Sequence, residues 1–134
     1  MEKTLLLVKP EIVENALYGE IISIVLRNRF KINRITMLTF DRKRAERFYE
    51  IHANREFFPS LIDYITGGPV LALELEGEDA IGRLRSLVGD TDPSKASPGT
   101  IRYAYGSSVQ VNAVHASDSP ESAKKELAIV FSES

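Results

Sequence analysis

The apolar run TLLLV, at residues 4–8, limits the fold more than any other stretch of the chain. A short, uninterrupted run of this kind, ended by Lys9 and Pro10, predicts a fully buried strand. Side chains at the ends of buried strands commonly line functional sites. The run therefore predicts an inner strand of a sheet and makes Lys9 a candidate site residue.

The chain after this strand alternates between helical and extended hydrophobic spacing. Asp41 is placed to cap a helix, and the GGP sequence at 67–69 is a strong stop signal. The predicted order is a helix from Leu17, a strand over 31–40, a helix over 41–52, a helical segment around Leu61 to Ile65, a strand over 70–76 and a helix over 78–89.

The last third of the chain combines a long loop with one more strand and helix. Residues 90–112 are rich in turn formers and lack periodicity, and loops of this length in small domains are usually functional or disordered. A short strand follows over 113–115. The final helix is predicted to start at Asp118 or Ser119 with Pro120 in its first turn.

This order of elements indicates an α+β fold, with an antiparallel sheet covered by helices. It fits the ferredoxin-like βαββαβ arrangement, here with a long active-site loop. A length of 134 residues with no internal repeat predicts a single domain over 1–134.

Composition and charge exclude several classes of function. The chain has no cysteine, which rules out disulfides, thiolate catalysis and cysteine-based zinc sites. A net charge of -2 makes nucleic acid an unexpected main partner. The apolar run near the N-terminus is too short for a signal peptide or a membrane span, so we expect a cytoplasmic protein.

His115 has the most suggestive surroundings of the two histidines. A neutral imidazole is a good nucleophile near pH 7, and a carboxylate can fix its tautomer. Glu126 lies along the inward-facing stripe of the last helix, so its carboxylate needs a polar partner such as a serine or a histidine. The alternative is that His115 only caps the helix or fills a strand end. His52 shares an apolar helix face with Phe48 and Tyr49, so we expect a structural residue and assign it no role in the site.

Basic residues supply candidates for an anion site. Arg85 lies beside the apolar stripe of its helix, and Arg102 lies in the long loop. One ring of the Phe57–Phe58 pair is expected in the core and the other could stack on a ligand. No carboxylate cluster for a protein-held metal is evident, so any Mg²⁺ is expected to be bound through substrate phosphates.

Taken together, four segments resemble the nucleoside diphosphate kinase family, in the right order and along nearly the whole chain. They are VKP (8–10), FFPSLIDYITGGPV (57–70), SPGTIR (97–102) and NAVHASDSPESAKKE (112–126). The resemblance implies a reversible ping-pong transfer of the γ-phosphate of a nucleoside triphosphate to a nucleoside diphosphate, with broad base specificity, through a phosphorylated His115. It also implies a homo-oligomer, either tetramer or hexamer.

The resemblance assigns a role to each matching position. Glu126 and Ser117 would hold and polarise the histidine, and Phe57, Leu61 and Val109 would contact the base. Around the phosphates and ribose it places Lys9, Tyr49, Arg85, Thr91, Arg102 and Asn112.

The chain departs from the family's pattern at three places. Glu11-Ile12 stands where Asp-Gly is common, Ala116 replaces a glycine, and Ala104 lies where an aspartate is common.

Two other functions stay open: a ferredoxin-like domain that senses nucleotides without turnover, and a nucleic-acid-binding module.

Overall fold

The computed structural model describes residues 1–132. Two 3₁₀ helices, Glu50–His52 and Pro93–Lys95, interrupt the longer connections. The strands are β1 (Glu2–Val8), β2 (Lys31–Leu38), β3 (Val70–Gly77) and β4 (Val114–Ala116). The helices are α1 (Pro10–Glu14), α2 (Tyr18–Arg27), α3 (Arg42–Phe48), α4 (Phe58–Ile65), α5 (Ala80–Val88), α6 (Ile101–Tyr105) and α7 (Pro120–Val130).

The four strands form one antiparallel sheet in the order β2-β3-β1-β4. This strand order, with helices between and after the strands, is the ferredoxin-like arrangement, and α3 and α4 are additions between β2 and β3. The predicted α+β fold class is therefore confirmed.

Strand β1 is apolar from Leu5 to Val8 because both faces of the sheet are covered there. Leu6 and Val8 pack into one core with residues of α2 and α5. Leu5 and Leu7 point to the opposite face and pack against α3, α4 and α7. A strand of alternating polarity would bury polar side chains on one of the two covered faces. The prediction of a fully buried strand over 4–8 is confirmed.

Two short helices lie where the sequence predicted none. Helix α1 begins at Pro10, which suits the first helical position because its ring presets φ and no N–H is needed there. Helix α6 interrupts the segment that was predicted as loop, and its start is capped by Thr100, whose hydroxyl accepts from the amide of Tyr103. Each has five residues, which is too short to show a helical period.

The predicted helix over 41–52 is shorter than expected. Asp41 caps α3 as predicted, accepting from the amide of Arg44. The α-helix ends at Phe48, and the chain continues as the 3₁₀ helix that contains His52. Because a 3₁₀ helix winds more tightly than an α-helix, His52 leaves the apolar face on which the sequence placed it.

Strand β4 and helix α7 place the predicted nucleophile. His115 pairs with Leu7, while its neighbours Val114 and Ala116 are buried in the core of the α2 and α5 face. Alternation along the strand therefore directs the His115 side chain to the opposite face, where α3 and α7 lie. Ser119, one of the two predicted starts, caps α7 by accepting from the amide of Ser122.

Candidate active site

His115 and Glu126 form a hydrogen-bonded pair between β4 and α7. The Nε2 atom of His115 lies 2.9 Å from Oε1 of Glu126. The same oxygen accepts from the hydroxyl of Ser117 at 2.7 Å, and that hydroxyl in turn accepts from the amide of Leu5 at 3.3 Å. Three predicted residues are thus brought together, and Ser117 is the serine partner that the inward carboxylate required.

Two aromatic rings fix the plane of the imidazole from the side of α3. The ring centroid of Phe48 lies 5.1 Å from that of His115, and Tyr49 lies 6.1 Å away, both edge to face. Burial raises the pKa of the Tyr49 phenol, and the nearby Glu126 carboxylate adds to the shift. The phenol oxygen is buried and has no hydrogen-bond partner among the described residues. Tyr49 therefore stays protonated and can donate to a bound group.

Arg85 and Arg102 hold the two carbonyls that flank His115. Arg102 donates to the carbonyl oxygen of Val114 at 2.9 Å, and Arg85 donates to that of Ala116 at 3.2 Å. Arg102 also donates to Gly89 at 3.0 Å. Burial, followed by the neighbouring Arg85 charge, lowers the pKa of Arg102 to about 10, so the guanidinium is still charged at neutral pH. Two cationic groups thus lie beside the imidazole.

Lys9 extends this positive region at the end of β1. Its Nζ donates to Oδ1 of Asn112 at 2.7 Å and to the carbonyl of Gln110 at 3.2 Å. Asn112 in turn donates to the carbonyls of Thr91 and Val109. Burial and the Arg102 charge lower the pKa of Lys9 to about 8, although the Glu11 carboxylate opposes the shift. The Asn112 side chain thus joins three parts of the predicted site.

A cavity of about 540 Å³ opens in front of His115. Its lining contains every predicted site residue except Ser117 and Glu126, which lie behind the histidine. Phe57 is 46% exposed at the cavity, whereas Phe58 packs into the core of the α3, α4 and α7 face. The predicted residues on the lining are Lys9, Tyr49, Phe57, Leu61, Arg85, Thr91, Arg102, Val109, Asn112 and His115.

Four lining residues were not predicted as site residues: His52, Gln110, Ala116 and Asp118. The ring centroid of His52 lies 5.4 Å from that of Phe57, because the 3₁₀ helix turns the imidazole toward the cavity. Gln110 bonds to Ser60 of α4. Only a change from α to 3₁₀ winding after Phe48 could have identified His52, and that change has no signal in the spacing of apolar residues.

A second and more open cavity, of about 620 Å³, lies elsewhere on the molecule. Its lining includes Phe30 and Arg83, which stack on each other at 4.3 Å. It contains none of the predicted site residues. The predicted residues therefore gather at the cavity beside His115 and not at this one.

Comparisons with known proteins agree with the geometry. The family model described as nucleoside diphosphate kinase matches residues 2–134. The nucleoside diphosphate kinase of Staphylothermus marinus is 48% identical over 97% of this chain and 92% of its own length, and that of Archaeoglobus fulgidus is 47% identical over 99% and 88%. The crystal structure of the Aquifex aeolicus nucleoside diphosphate kinase superposes with a TM-score of 0.95 at 41% identity, covering 98% of this chain and 96% of that one. The chain belongs to the nucleoside diphosphate kinase family.

Proposed function

We propose that this enzyme transfers the γ-phosphate of a nucleoside triphosphate to a nucleoside diphosphate through a phosphohistidine at His115. The observation that carries the proposal is the hydrogen bond from Nε2 to Glu126. A neutral imidazole carries one proton, so donation from Nε2 leaves the lone pair on Nδ1. The ring is thereby prepared as a nucleophile beside the cavity.

In the first half-reaction Nδ1 of His115 attacks the γ-phosphorus. The bond from that phosphorus to the oxygen bridging the β- and γ-phosphates breaks, and the nucleoside diphosphate leaves with the bond electrons. The ring becomes cationic as the N–P bond forms, and the Glu126 carboxylate stabilises that charge through Nε2. In the second half-reaction a terminal oxygen of another nucleoside diphosphate attacks the same phosphorus and releases the histidine.

The basic side chains would stabilise the transferring group. Phosphoryl transfer asks the protein mainly for positioning and for positive charge around the equatorial oxygens. Arg85 and Arg102 lie on either side of His115, and the Tyr49 hydroxyl beside it has no partner within residues 1–132. Thr91 lies on the same cavity wall.

We assign the base and ribose to the outer part of the cavity. Phe57 and Leu61 of α4 would form one wall of an apolar slot, with Val109 opposite, and Lys9 with Asn112 would reach the ribose hydroxyls. Apolar slots of this kind discriminate weakly, by about 1–3 kcal/mol per feature. Broad acceptance of bases is the expected result.

Mg²⁺ would enter with the nucleotide, held by phosphate oxygens and water. The described residues contain no cluster of three or more histidine and carboxylate groups suited to a metal ion. Lys9, Arg85 and Arg102 line the cavity with His115, and these cations fit the phosphates of a magnesium nucleotide. The ion would supply charge neutralisation during transfer.

Three further proposals concern the whole protein. Residues 1–134 would form one domain, which the shared sheet between the two cores supports. The chain would assemble as a homo-oligomer, tetrameric or hexameric, and act in the cytoplasm. No helix among residues 1–132 is long and apolar enough to cross a membrane.

The decisive experiment is labelling without an acceptor. Purified protein with Mg²⁺ and γ-labelled ATP should acquire label that is stable in alkali and lost in acid. The label should then move to added GDP, CDP or UDP at similar rates. His115→Ala should take up no label, whereas His52→Ala, which leaves His115 intact, should still be labelled.

Two results would contradict the proposal. Folded wild-type protein that takes up no label would favour nucleotide sensing without turnover. Turnover by His115→Ala would remove the histidine from the mechanism. A strong preference for one acceptor would refute the broad base specificity alone.

A further inference from the structure

The backbone makes a strained turn at Ala113, two residues before the predicted nucleophile. Ala113 has a φ of 78°, in the left-handed region that residues with a Cβ rarely adopt. The amide of Val114 donates to the carbonyl of Asn112 at 2.9 Å, which closes a three-residue γ-turn around Ala113. A γ-turn with positive φ at its centre is rare and strained, so it persists only where neighbouring groups hold it.

Lys9 and Glu11 hold the backbone groups of Ala113 by hydrogen bonds. The carbonyl of Ala113 accepts from the backbone amide of Lys9 at 2.9 Å. The amide of Ala113 donates to Oε2 of Glu11 at 3.1 Å. Ala113 is fully buried, so its amide would lose its partner if the carboxylate were removed.

The Glu11 carboxylate is itself held by a second contact. Its other oxygen, Oε1, accepts from the phenol hydroxyl of Tyr64, which lies on α4. Burial and this hydrogen bond raise the pKa of Tyr64, so the phenol remains a donor. Glu11 therefore links α4 to the γ-turn at Ala113, which directly precedes β4.

The γ-turn at Ala113 sets the direction of two side chains of the site, those of Asn112 and His115. Asn112 lies immediately before it and holds Lys9, Thr91 and Val109 by hydrogen bonds. His115 lies two residues after it, on β4. A rotation of the turn would move the Asn112 amide and the start of β4 together, and displacements of about 1 Å in a reacting group lower rates by roughly 100-fold.

We propose that Glu11 is a positioning residue for phosphoryl transfer, whose carboxylate holds the strained turn at Ala113 and thereby orients Asn112 and His115. The proposal rests on the function proposed above for His115. It gives a role to a position at which the chain departs from the family's common residue.

The test is a double-substitution cycle between Glu11 and Ala113. Glu11→Gln keeps the size of the side chain, but both partners of the carboxylate are donors, and a glutamine presents one acceptor oxygen and one donor nitrogen. Ala113→Gly allows the positive φ without a Cβ, so the turn should depend less on Glu11. Glu14→Gln, on the exposed side of the same helix, is the matched control for the change in charge.

We expect Glu11→Gln to lower kcat and kcat/KM by roughly tenfold or more in the Ala113 background. In the Ala113→Gly background the same substitution should lower kcat less than about threefold. A glycine adopts the positive φ without strain, so the turn no longer needs the Glu11 carboxylate to hold it. Glu14→Gln should match the wild type. Tyr64→Phe, which removes the second contact of the carboxylate, should show a smaller loss of kcat in the same direction.

Three results would overturn the proposal. Equal losses in both backgrounds would mean that Glu11 does not act through the turn. A loss confined to KM that changes with pH would show that Glu11 acts only through the charge of Lys9. A lower melting temperature with unchanged kcat would reduce Glu11 to a structural residue. Turnover by His115→Ala is a separate result that refutes the proposed function, whereas an additive cycle with inactive His115→Ala refutes only the role of Glu11.

Discussion

The nucleophilicity proposed for His115 depends on which ring nitrogen keeps its proton. Glu126 has one oxygen that accepts from both the imidazole and Ser117, and the hydroxyl of Ser117 is fixed in turn by the amide of Leu5. The side chain of Glu126 is 12% exposed and that of His115 is 23% exposed. Because the carboxylate is the less accessible of the two, water competes little for its oxygen and the tautomer is well defined.

Removing this carboxylate should slow the phosphorylation of His115. Glu126→Ala should lower the labelling rate roughly 100-fold or more, because the tautomer and the developing charge both lose their partner. Glu126→Gln retains an acceptor oxygen and should lose less. Rapid-quench measurement of phosphoenzyme formation checks both, with Glu121→Ala, an exposed carboxylate on the same helix, as the control. Wild-type labelling by Glu126→Ala would show that the pair has no part in the reaction.

Lys9 should make nucleotide binding dependent on pH. Its pKa is lowered to about 8 by burial and by Arg102, with Glu11 opposing, so the free enzyme loses this positive charge as the pH rises through that value. Phosphate oxygens favour the charged form, so binding above pH 8 takes up a proton. At pH 7 Lys9 is already charged and little uptake is expected.

Calorimetry in buffers of different ionisation enthalpy measures this uptake directly. At pH 8.5 the phosphates are fully ionised, so a buffer-dependent binding enthalpy would come from the protein. Lys9→Met should abolish the dependence on buffer and weaken binding. Identical enthalpies in all buffers for the wild type would contradict the lowered pKa.

At the scale of elements, the sequence predicted what periodicity can report. The three longer strands and the long helices were found, because each repeats an apolar pattern over at least one face. The three-residue strand β4 was predicted one residue early, over 113–115, and lies at Val114–Ala116. Helices α1 and α6 were missed, since five residues give no period and their starts depend on Pro10 and Thr100. The position of Glu126 on α7 followed from its helical face, whereas Gln110 reaches the cavity through a loop conformation that no local pattern predicts.

The residue that ends α5, Gly89, helps to position Arg102. Gly89 has a φ of 92° and its carbonyl accepts from Arg102. A Cβ at this position would lie 2.7 Å from the side chain of Thr100, the cap of α6. Gly89→Ala should therefore lower the free energy of unfolding by about 1–3 kcal/mol and raise the KM for nucleotides, as Arg102 shifts with α6.

Gly99 offers a matched control for this prediction. It also has a positive φ, of 94°, but a Cβ there would meet nothing within 4 Å. Gly99→Ala should show the cost of the conformation alone, without the clash and without the change in KM. Urea unfolding and steady-state kinetics on both variants separate the two effects. Equal KM changes would mean that contact with Thr100 does not transmit the shift to Arg102.

At the scale of the whole molecule, the sheet is covered unevenly. Strand β1 is central and buried, but β2 is an edge strand whose residues are half-buried or exposed. Ile35 and Met37 are 49% and 47% exposed on it. An exposed edge strand with large apolar side chains is a template for pairing with another chain. This surface is the best candidate for the proposed contact between copies.

Charge on this strand should therefore break the assembly while preserving each active site. The wild type should sediment as four or six copies of the 15.0 kDa chain. A variant with Ile35→Lys and Met37→Lys should sediment as smaller species, because lysine side chains on an edge strand oppose pairing. Ile51→Lys, which adds charge at an exposed apolar residue of the 3₁₀ helix, should leave the mass unchanged. Ile35 and Met37 do not line the cavity at His115, so the dissociated variant should still label His115. A monomeric wild type would refute the proposed oligomer. An unchanged mass in the double variant would show that the contact between copies lies elsewhere.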